Sequence, residues 1–198
     1  FAAFEKLLLL CAGRVGQLLN LSNLAIEAGV NVSTIQSWIG LLQSSFIIYL
    51  LKPHHRNFNK RVVRTPKLYF YDTGLACHLL ALQQVSDLKF HHYRGALFEN
   101  MIINELIKNR FNQGKRSNLY FWRDNTGNEV DVIIDNGKEL LPVEIKSGAT
   151  ITSDTLKGIL FWQKITGNRK GIVLYGGIES QQRSNGIRIL GWEGVRAL

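Results

Sequence analysis

Asp131, Glu144 and Lys146 are the residues of this chain whose types and spacing could do chemistry. They lie on two short runs, Glu129-Val130-Asp131-Val132-Ile133-Ile134 and Leu141-Pro142-Val143-Glu144-Ile145-Lys146, with the turn residues Asn136-Gly137 between them. Both runs read as strands. Side chains alternate between faces along a strand, so Glu144 and Lys146 share one face while Val143 and Ile145 take the other. Pairing through the turn lets Asp131 and Glu144 converge at one end of a sheet with Lys146 beside them. Two carboxylates so placed suit a hard divalent cation, Mg2+ or Mn2+ rather than zinc. An adjacent ammonium can stabilise a phosphoryl group or position an attacking water, so the reaction such a group serves is metal-assisted phosphodiester hydrolysis. Lys146 is assigned first to electrostatic stabilisation and only second to base catalysis. The bland alternative is an ion-pair network on a half-exposed sheet, because Glu-x-Lys arises often by chance.

Further elements must position these groups. Residues 95–111 carry a helical pattern in which Glu99 falls with Ile102, Ile103 and Leu106, away from Asn100, Asn104 and Lys108. A carboxylate in an apolar stripe is costly unless paired, protonated or bound to metal, which makes Glu99 a third candidate. Strands are expected at 119–123, 129–135 and 139–147, joined by hairpin turns and therefore antiparallel. A helix from Ser153 to about Thr166 follows, stopped at Gly167, and on it Gln163 falls with the buried Leu156, Ile159 and Leu160. Strands at 171–175 and 186–190 complete a mixed α/β sheet with one crossover helix.

The first third has a different pattern. A helix over 4–12 is followed by a short helix capped at Asn20 and closed by Gly29, then by a helix capped at Ser33 with Ile35, Trp38, Ile39 and Leu42 inward. This is a helix-turn-helix pattern, and strands at 46–51 and 67–71 would extend it to a winged helix. The segment between those strands carries Lys52, Arg56, Lys60, Arg61, Arg64 and Lys67 with no acid, and suits a phosphate backbone. The second of the two paired helices offers no lysine or arginine to read a base edge, so non-specific DNA holding is expected over sequence reading, and a transcriptional regulator is the weakest alternative. The boundary is placed after Leu82, giving a winged-helix-like module at 1–82 and an α/β domain at 83–198.

Composition bounds the partners. The 198 residues are 45% hydrophobic, enough for a proper core, and lysine plus arginine exceed aspartate plus glutamate by 24 to 15. Residues 1–67 hold eight of the basic and two of the acidic side chains, so the positive field is concentrated there. Two lone cysteines make no disulfide framework, and a reducing cytoplasm is expected. No apolar run approaches the roughly 18 residues of a membrane span. The chain opens at Phe1 without a start methionine and is expected to be part of a longer protein.

Asp131, twelve residues, then Glu144-Ile145-Lys146, with Glu99 on the preceding helix, resembles the PD-(D/E)xK nuclease superfamily. Val130 stands where that family's name has proline. More of the chain resembles an uncharacterised domain family found C-terminal to an AAA-type ATPase core in bacteria and archaea. Gly16-Gln17-Leu18-Leu19-Asn20, Lys67-Leu68-Tyr69-Phe70-Tyr71-Asp72-Thr73-Gly74-Leu75-Ala76, Arg94-Gly95-Ala96-Leu97-Phe98-Glu99-Asn100, Tyr120-Phe121-Trp122-Arg123-Asp124 and Pro142-Val143-Glu144-Ile145-Lys146-Ser147 carry it. The resemblance implies a winged helix joined to a restriction-endonuclease-like domain, with Asp131, Glu144, Glu99 and the Ile145 carbonyl holding Mg2+ or Mn2+. It implies that Lys146 stabilises the transition state and Gln163 orients it or the substrate. The implied partners are DNA and an N-terminal ATPase domain. No Walker sequence occurs here, so ATP binding is not expected of this chain. The alternative is a non-catalytic module of the same fold, coupling the ATPase to DNA or a protein.

Overall fold

The computed structural model describes residues 2–55 and 62–198, which separate into two compact units, 1–51 with 65–100 and 52–64 with 101–198. In the first unit, α1 (Ala2–Ala12), α2 (Leu21–Ala28) and α3 (Val32–Ser44) bury Leu7, Leu24, Ile35, Ile39 and Leu42. Asn20 caps α2 through the Asn23 amide, and Gly29 closes it at φ +73°, a left-handed conformation open to glycine at little cost. Helix α3 begins earlier than Ser33 suggested. Asn31 is its cap, accepting from the Thr34 amide at 2.9 Å, because its longer side chain reaches back over the first turn. Strands β1 (Ile48–Leu51) and β2 (Lys67–Phe70) pair antiparallel, Ile48 opposite Phe70. The expected start of β1 at Phe46 fails because that residue sits at φ +55° in the turn leaving α3. Helix α4 (Thr73–Leu79) is capped by Asp72, and α5 (Val85–Leu88) is a single turn.

Helix α6 (Arg94–Asn112) runs from the first unit into the second. Its buried face is wider than the wheel suggested. Asn100 and Asn104, expected outward, are buried along with Ile102, Ile103 and Leu106. Asn100 is satisfied as a strand would be: it accepts from the Phe70 amide at 2.8 Å, donates to the Phe70 carbonyl at 2.9 Å, and donates to Thr73 Oγ1 at 2.8 Å. A side-chain amide carries the same donor and acceptor as a peptide, so an asparagine on the face toward β2 completes that strand's edge.

The second unit is a six-stranded mixed sheet with helix α7 (Lys157–Thr166) packed on it. Its strands are β3 (Leu119–Arg123), β4 (Glu129–Asp135), β5 (Leu140–Lys146), β6 (Gly171–Tyr175), β7 (Gln181–Gln182) and β8 (Ile187–Gly191), in the order β3-β4-β5-β6-β8-β7. The three-strand meander is antiparallel as its turns required, and the crossover through α7 makes β6 parallel to β5. Strand β8 continues parallel beside β6, and the two-residue β7, which no apolar pattern announces, closes the far edge. Trp122, Val130, Ile133, Leu140 and Trp162 form one core cluster; Ile159, Val173, Tyr175, Ile187 and Ile189 form another.

Residues 52–64 do not stay with β1 and β2, the strands they connect. Pro53 bridges Phe121, the His54 amide donates to the Phe121 carbonyl at 2.7 Å, and the Val63 amide donates to the Arg123 carbonyl at 2.9 Å. Residues 52–54 and 62–63 thus cover the outer edge of β3, whose unpaired backbone groups need partners. The single boundary expected after Leu82 therefore differs from the contact pattern, in which 83–100 remain with the first unit and 52–64 go with the second. Arg56, Lys60 and Arg61 of the expected basic wing lie outside the described residues.

Between β3 and β4, Asp124 organises the turn. Its carboxylate accepts from the Thr126 amide and hydroxyl and from the Asn128 amide and side chain, at 2.8–2.9 Å. Burial pushes its pKa up, but the bonds from Asn128 and Thr126 outweigh burial and hold it below the ordinary carboxylate value.

Asn100→Ala removes three buried hydrogen bonds and is expected to lower the unfolding free energy by about 2–4 kcal/mol, read from urea unfolding; a loss under about 0.5 kcal/mol would assign the junction to packing alone. The depressed pKa of Asp124 gives stability that is present above the unfolded carboxylate value near 3.9 and disappears as pH falls through the folded value. Unfolding free energies measured from pH 7 down to pH 2 should drop less steeply in Asp124→Asn than in the parent chain.

Candidate functional site

The pairing of β4 with β5 runs from Asp135 opposite Leu140 to Val132 opposite Val143. One rung further, the same register sets Asp131 opposite Glu144, and opposed residues of an antiparallel pair project to one face. Here the ladder gives way to a side chain: Asp131 Oδ2 accepts the Ile145 amide at 2.8 Å. Lys146 Nζ lies 2.7 Å from Glu144 Oε1 and 3.5 Å from Asp131 Oδ2, touching both carboxylates. The side chains of Asp131 and Glu144 are 12% and 9% exposed, that of Lys146 40%. Two nearly buried carboxylates and one ammonium carry a formal charge of −1, and the ammonium is the part open to solvent. The expected convergence of Asp131, Glu144 and Lys146 is present.

The floor beneath Glu144 is the first turn of α7. A Cβ on Gly158 would come 2.3 Å from the Glu129 carbonyl oxygen and 2.9 Å from Glu144 Oε2, so the helix packs onto β4 and β5 only because that position lacks a side chain. Glycine inside a helix costs about 1 kcal/mol relative to alanine. That cost was the available signal, and sequence reasoning passed over it.

Gln163 is placed elsewhere. Its Nε2 donates to the Arg169 carbonyl at 2.8 Å and to the Asn185 carbonyl at 3.3 Å, tying the end of α7 to the loops that precede β6 and β8. Arg169 lies before the start of β6 at Gly171, whereas Glu144 is opposite Val173 and Lys146 opposite Tyr175. The inward side chain on that turn is Trp162, edge-on to Trp122 at 5.5 Å. The wheel was misled by Leu160, which was counted with the inward residues but is 41% exposed, so the inward face of α7 is centred on Ile159 and Trp162 and not on Gln163.

Glu99 belongs to the first unit. It accepts the Tyr69 hydroxyl and lies 3.4 Å from Lys67 Nζ, and Gly16, at φ +76°, leaves room beside its oxygens. Tyr49 stacks on Tyr69 with ring centroids 5.6 Å apart, and its hydroxyl is pushed well above the ordinary tyrosine pKa by burial, then by Tyr71 and Glu99. The carboxylate expected inward is half-buried, its side chain 16% exposed, and Lys67 is its cationic partner with the Tyr69 hydroxyl donating beside it. Among the described residues, no group of three or more His, Cys, Asp or Glu side chains is arranged to hold a metal ion, so the three-carboxylate set expected of Glu99, Asp131 and Glu144 is not found as such.

Lys67 was expected on a phosphate-binding surface. It is 3% exposed, in a β2 whose four residues are all buried, and its ammonium is turned to Glu99. The apolar strand around it, Lys67-Leu68-Tyr69-Phe70, carried the warning. Of the basic segment, Lys52 and Arg64 are described: the Lys52 carbonyl accepts the Phe121 amide of β3, and Arg64 follows Val63, whose amide donates to the Arg123 carbonyl. No helix among the described residues is long and apolar enough to cross a membrane.

Comparison with known proteins matches residues 94–194 to a domain of unknown function, DUF4143, and residues 1–86 to a second, DUF8612. An uncharacterized protein of Mycobacterium bovis and one of Mycobacterium tuberculosis are each 28% identical over 135 residues, 68% of this chain and 30% of either relative. The chain thus spans under a third of the length of the curated relatives it matches. No solved structure matches it.

Gly158→Ala sets two effects against each other. Better helix propensity favours it by about 1 kcal/mol, while the overlap with the Glu129 carbonyl costs about 1–3 kcal/mol or displaces α7. The overlap is expected to win and lower the melting temperature. A variant that melts higher would show that α7 can move away from Glu144 without loss.

Proposed function

The chain belongs to the DUF4143 family, a domain of unknown function, and we propose that its second unit is a Mg2+- or Mn2+-dependent phosphodiesterase acting on DNA, of the PD-(D/E)xK kind. The observation that carries this is the cross-strand pair Asp131 and Glu144 with the Lys146 ammonium on both. Support comes also from the element order α6, β3, β4, β5, α7, β6, with an antiparallel meander and a parallel strand beyond the crossover, which suits a restriction-endonuclease-like core. In the first unit, three helices followed by a two-stranded antiparallel pair favour a winged-helix reading. On the resemblance, a separate AAA-type ATPase domain would accompany this chain.

The donor set fits a hard divalent cation. Both side chains offer oxygen, they face each other across one strand pair, and Mg2+ is commonly held by only one or two carboxylates with water and phosphate completing the shell. Asp131 and Glu144 would hold it, with the Ile145 carbonyl that the resemblance implies. When bound, such an ion neutralises phosphate charge and makes a coordinated water a better nucleophile.

The chain's own residues do the rest. The Ile145 amide fixes the orientation of the Asp131 carboxylate, so its position does not depend on the ligand. The Lys146 ammonium, partly solvent-exposed, is placed to leave one carboxylate for a phosphoryl oxygen as negative charge builds there. The near burial of Asp131 and Glu144 keeps bulk water from screening that charge. Lys52 and Arg64, flanking β3 in the same unit, would add phosphate contacts with salt-dependent affinity, together with Arg56, Lys60 and Arg61 of the same chain segment. Lys67, buried on Glu99, takes no part.

A second reading is a non-catalytic module of this fold that couples the ATPase to DNA or a protein. It is favoured by the absence, among the described residues, of a third metal-ligating side chain and by the ion pair Lys146 already makes with both carboxylates.

Incubation with plasmid, single-stranded and branched DNA in Mg2+ or Mn2+ separates the two. Cleavage is expected, reduced on the order of 10²–10³-fold by Lys146→Ala and abolished by Asp131→Ala. Cutting that survives both substitutions would sink the proposed site. A silent Mn2+ titration by calorimetry, with no cleavage, would select the second reading.

A further inference from the structure

The parallel part of the sheet places a second feature in line with Lys146. Lys146 is opposite Tyr175 on β6, and Tyr175 is opposite Gly191 on β8. The three residues form one row across β5, β6 and β8. Gly191 is therefore two strand spacings, about 10 Å, from Lys146. Beyond that row, at the carboxyl ends of β6 and β8, lies a cavity of about 300 Å³. Gly177, Ile178, Ser180, Gly191, Trp192 and Glu193 line it, with Gly194. Ligands of open sheets with parallel strands bind in the crevice outside the carboxyl ends of those strands.

The cavity is shaped by close backbone contacts that admit no side chains. A Cβ on Gly191 would meet the Gly177 carbonyl oxygen at 2.7 Å and Ile178 Cα at 2.9 Å. One on Gly177 would overlap the Tyr175 ring, and the Tyr175 hydroxyl accepts the Glu179 amide at 3.1 Å, so that side chain holds the 176–180 turn from beneath. The turn leaves Ile178 90% exposed at the rim. The lining is thus one indole, one aliphatic side chain, a glycine floor, a hydroxyl and a carboxylate.

That chemistry selects among occupants. A carboxylate repels phosphate, so the cavity is not a backbone subsite. A flat aromatic ligand with N–H donors fits the indole and the carboxylate together, and a nucleobase with an exocyclic amino group is such a ligand: bases stack on tryptophan whatever their sequence, and a carboxylate accepts from an amino group such as cytosine N4. An extended strand with a phosphate at Lys146 can reach about 10 Å to place a base there only if that base is unpaired. We infer that the cavity lined by Trp192 and Glu193 receives an unpaired, amino-bearing nucleobase of the strand whose phosphate lies at Lys146. The inference rests on the phosphodiesterase reading for the identity of that strand, and it makes single-stranded or locally opened nucleic acid the substrate.

Binding of fluorescein-labelled oligo-dC, oligo-dT and a mixed-sequence duplex is measured by anisotropy in EDTA, where no metal-dependent cleavage occurs, so the result is independent of whether Asp131 and Glu144 support cutting. Trp192→Ala is expected to weaken oligo-dC binding on the order of tenfold, Trp192→Phe to retain most of it, and neither to change duplex affinity. Glu193→Gln is expected to erase a preference for oligo-dC over oligo-dT. Unchanged oligo-dC affinity in Trp192→Ala overturns the inference. Equal loss for single strand and duplex in both Trp192 variants also overturns it, by making Trp192 a packing residue.

Discussion

The hydrogen bond from the Ile145 amide to Asp131 Oδ2 is the point on which the second unit's site depends. Strand β5 has two different neighbours, antiparallel β4 and parallel β6, and these ladders impose different geometries on one backbone. Where the β4 ladder stops at Val132 and Val143, the next amide of β5 would face an aspartate side chain in place of a carbonyl. Accepting it locks the Asp131 rotamer and ends the pairing in one step. Glu144 and Lys146, fixed on the far side by β6, then have a partner whose position is set by backbone and not by their own charge. The cluster is rigid because its strand is held from both sides.

The first unit solves a related problem in a different way. Strand β2 is wholly buried and has only β1 as a full partner. The backbone of residues 16–19 bonds its other edge at Pro66 and Leu68, and side chains of α6 complete the rest. Asn100 reproduces a peptide against Phe70, while Glu99 receives Lys67 and the Tyr69 hydroxyl. A buried ion pair is weak evidence for stability, since desolvation offsets much of its attraction, but losing one partner strands a charge. Glu99, Lys67 and Tyr69 therefore act as a set, and a wheel that counts only apolar residues cannot recognise such a face. It sorted Asn100 outward, although its amide is the reason it fits against the Phe70 backbone.

What could be read from the sequence followed how local the cause was. Asn20, Gly29 and Gly167 act within a few residues of themselves, and the elements they bound were legible. The meander from 119 to 146 was legible for the same reason: its turns at 124–128 and 136–138 fix antiparallel pairing, and the alternation of Asp131 and Glu144 with apolar neighbours fixes the face. The failures were of longer range. Whether Lys67 meets solvent or Glu99 depends on a helix more than 25 residues away. The edge of β3 is covered by residues 52–54 and 62–63, from a segment whose charge invited a reading as a free wing. Gln163 was lost because Leu160, apolar and therefore read as inward, is 41% exposed, which composition does not reveal.

The two carboxylates and the lysine also bear on how the site would meet a ligand. The Lys146 ammonium lies 2.7 Å from Glu144 and 3.5 Å from Asp131. If these carboxylates hold a cation as proposed, ion and ammonium would repel; the lysine, being 40% exposed and on a flexible stem, is the group able to move. Its natural destination is the next negative charge, a phosphate, while the carboxylates stay where the Ile145 amide and the packing of Gly158 hold them. On the proposed reading, Asp131 and Glu144 would hold a cation, which would neutralise phosphate charge, only in a state where Lys146 had turned away. The resting contact keeps two nearly buried carboxylates from facing each other uncompensated.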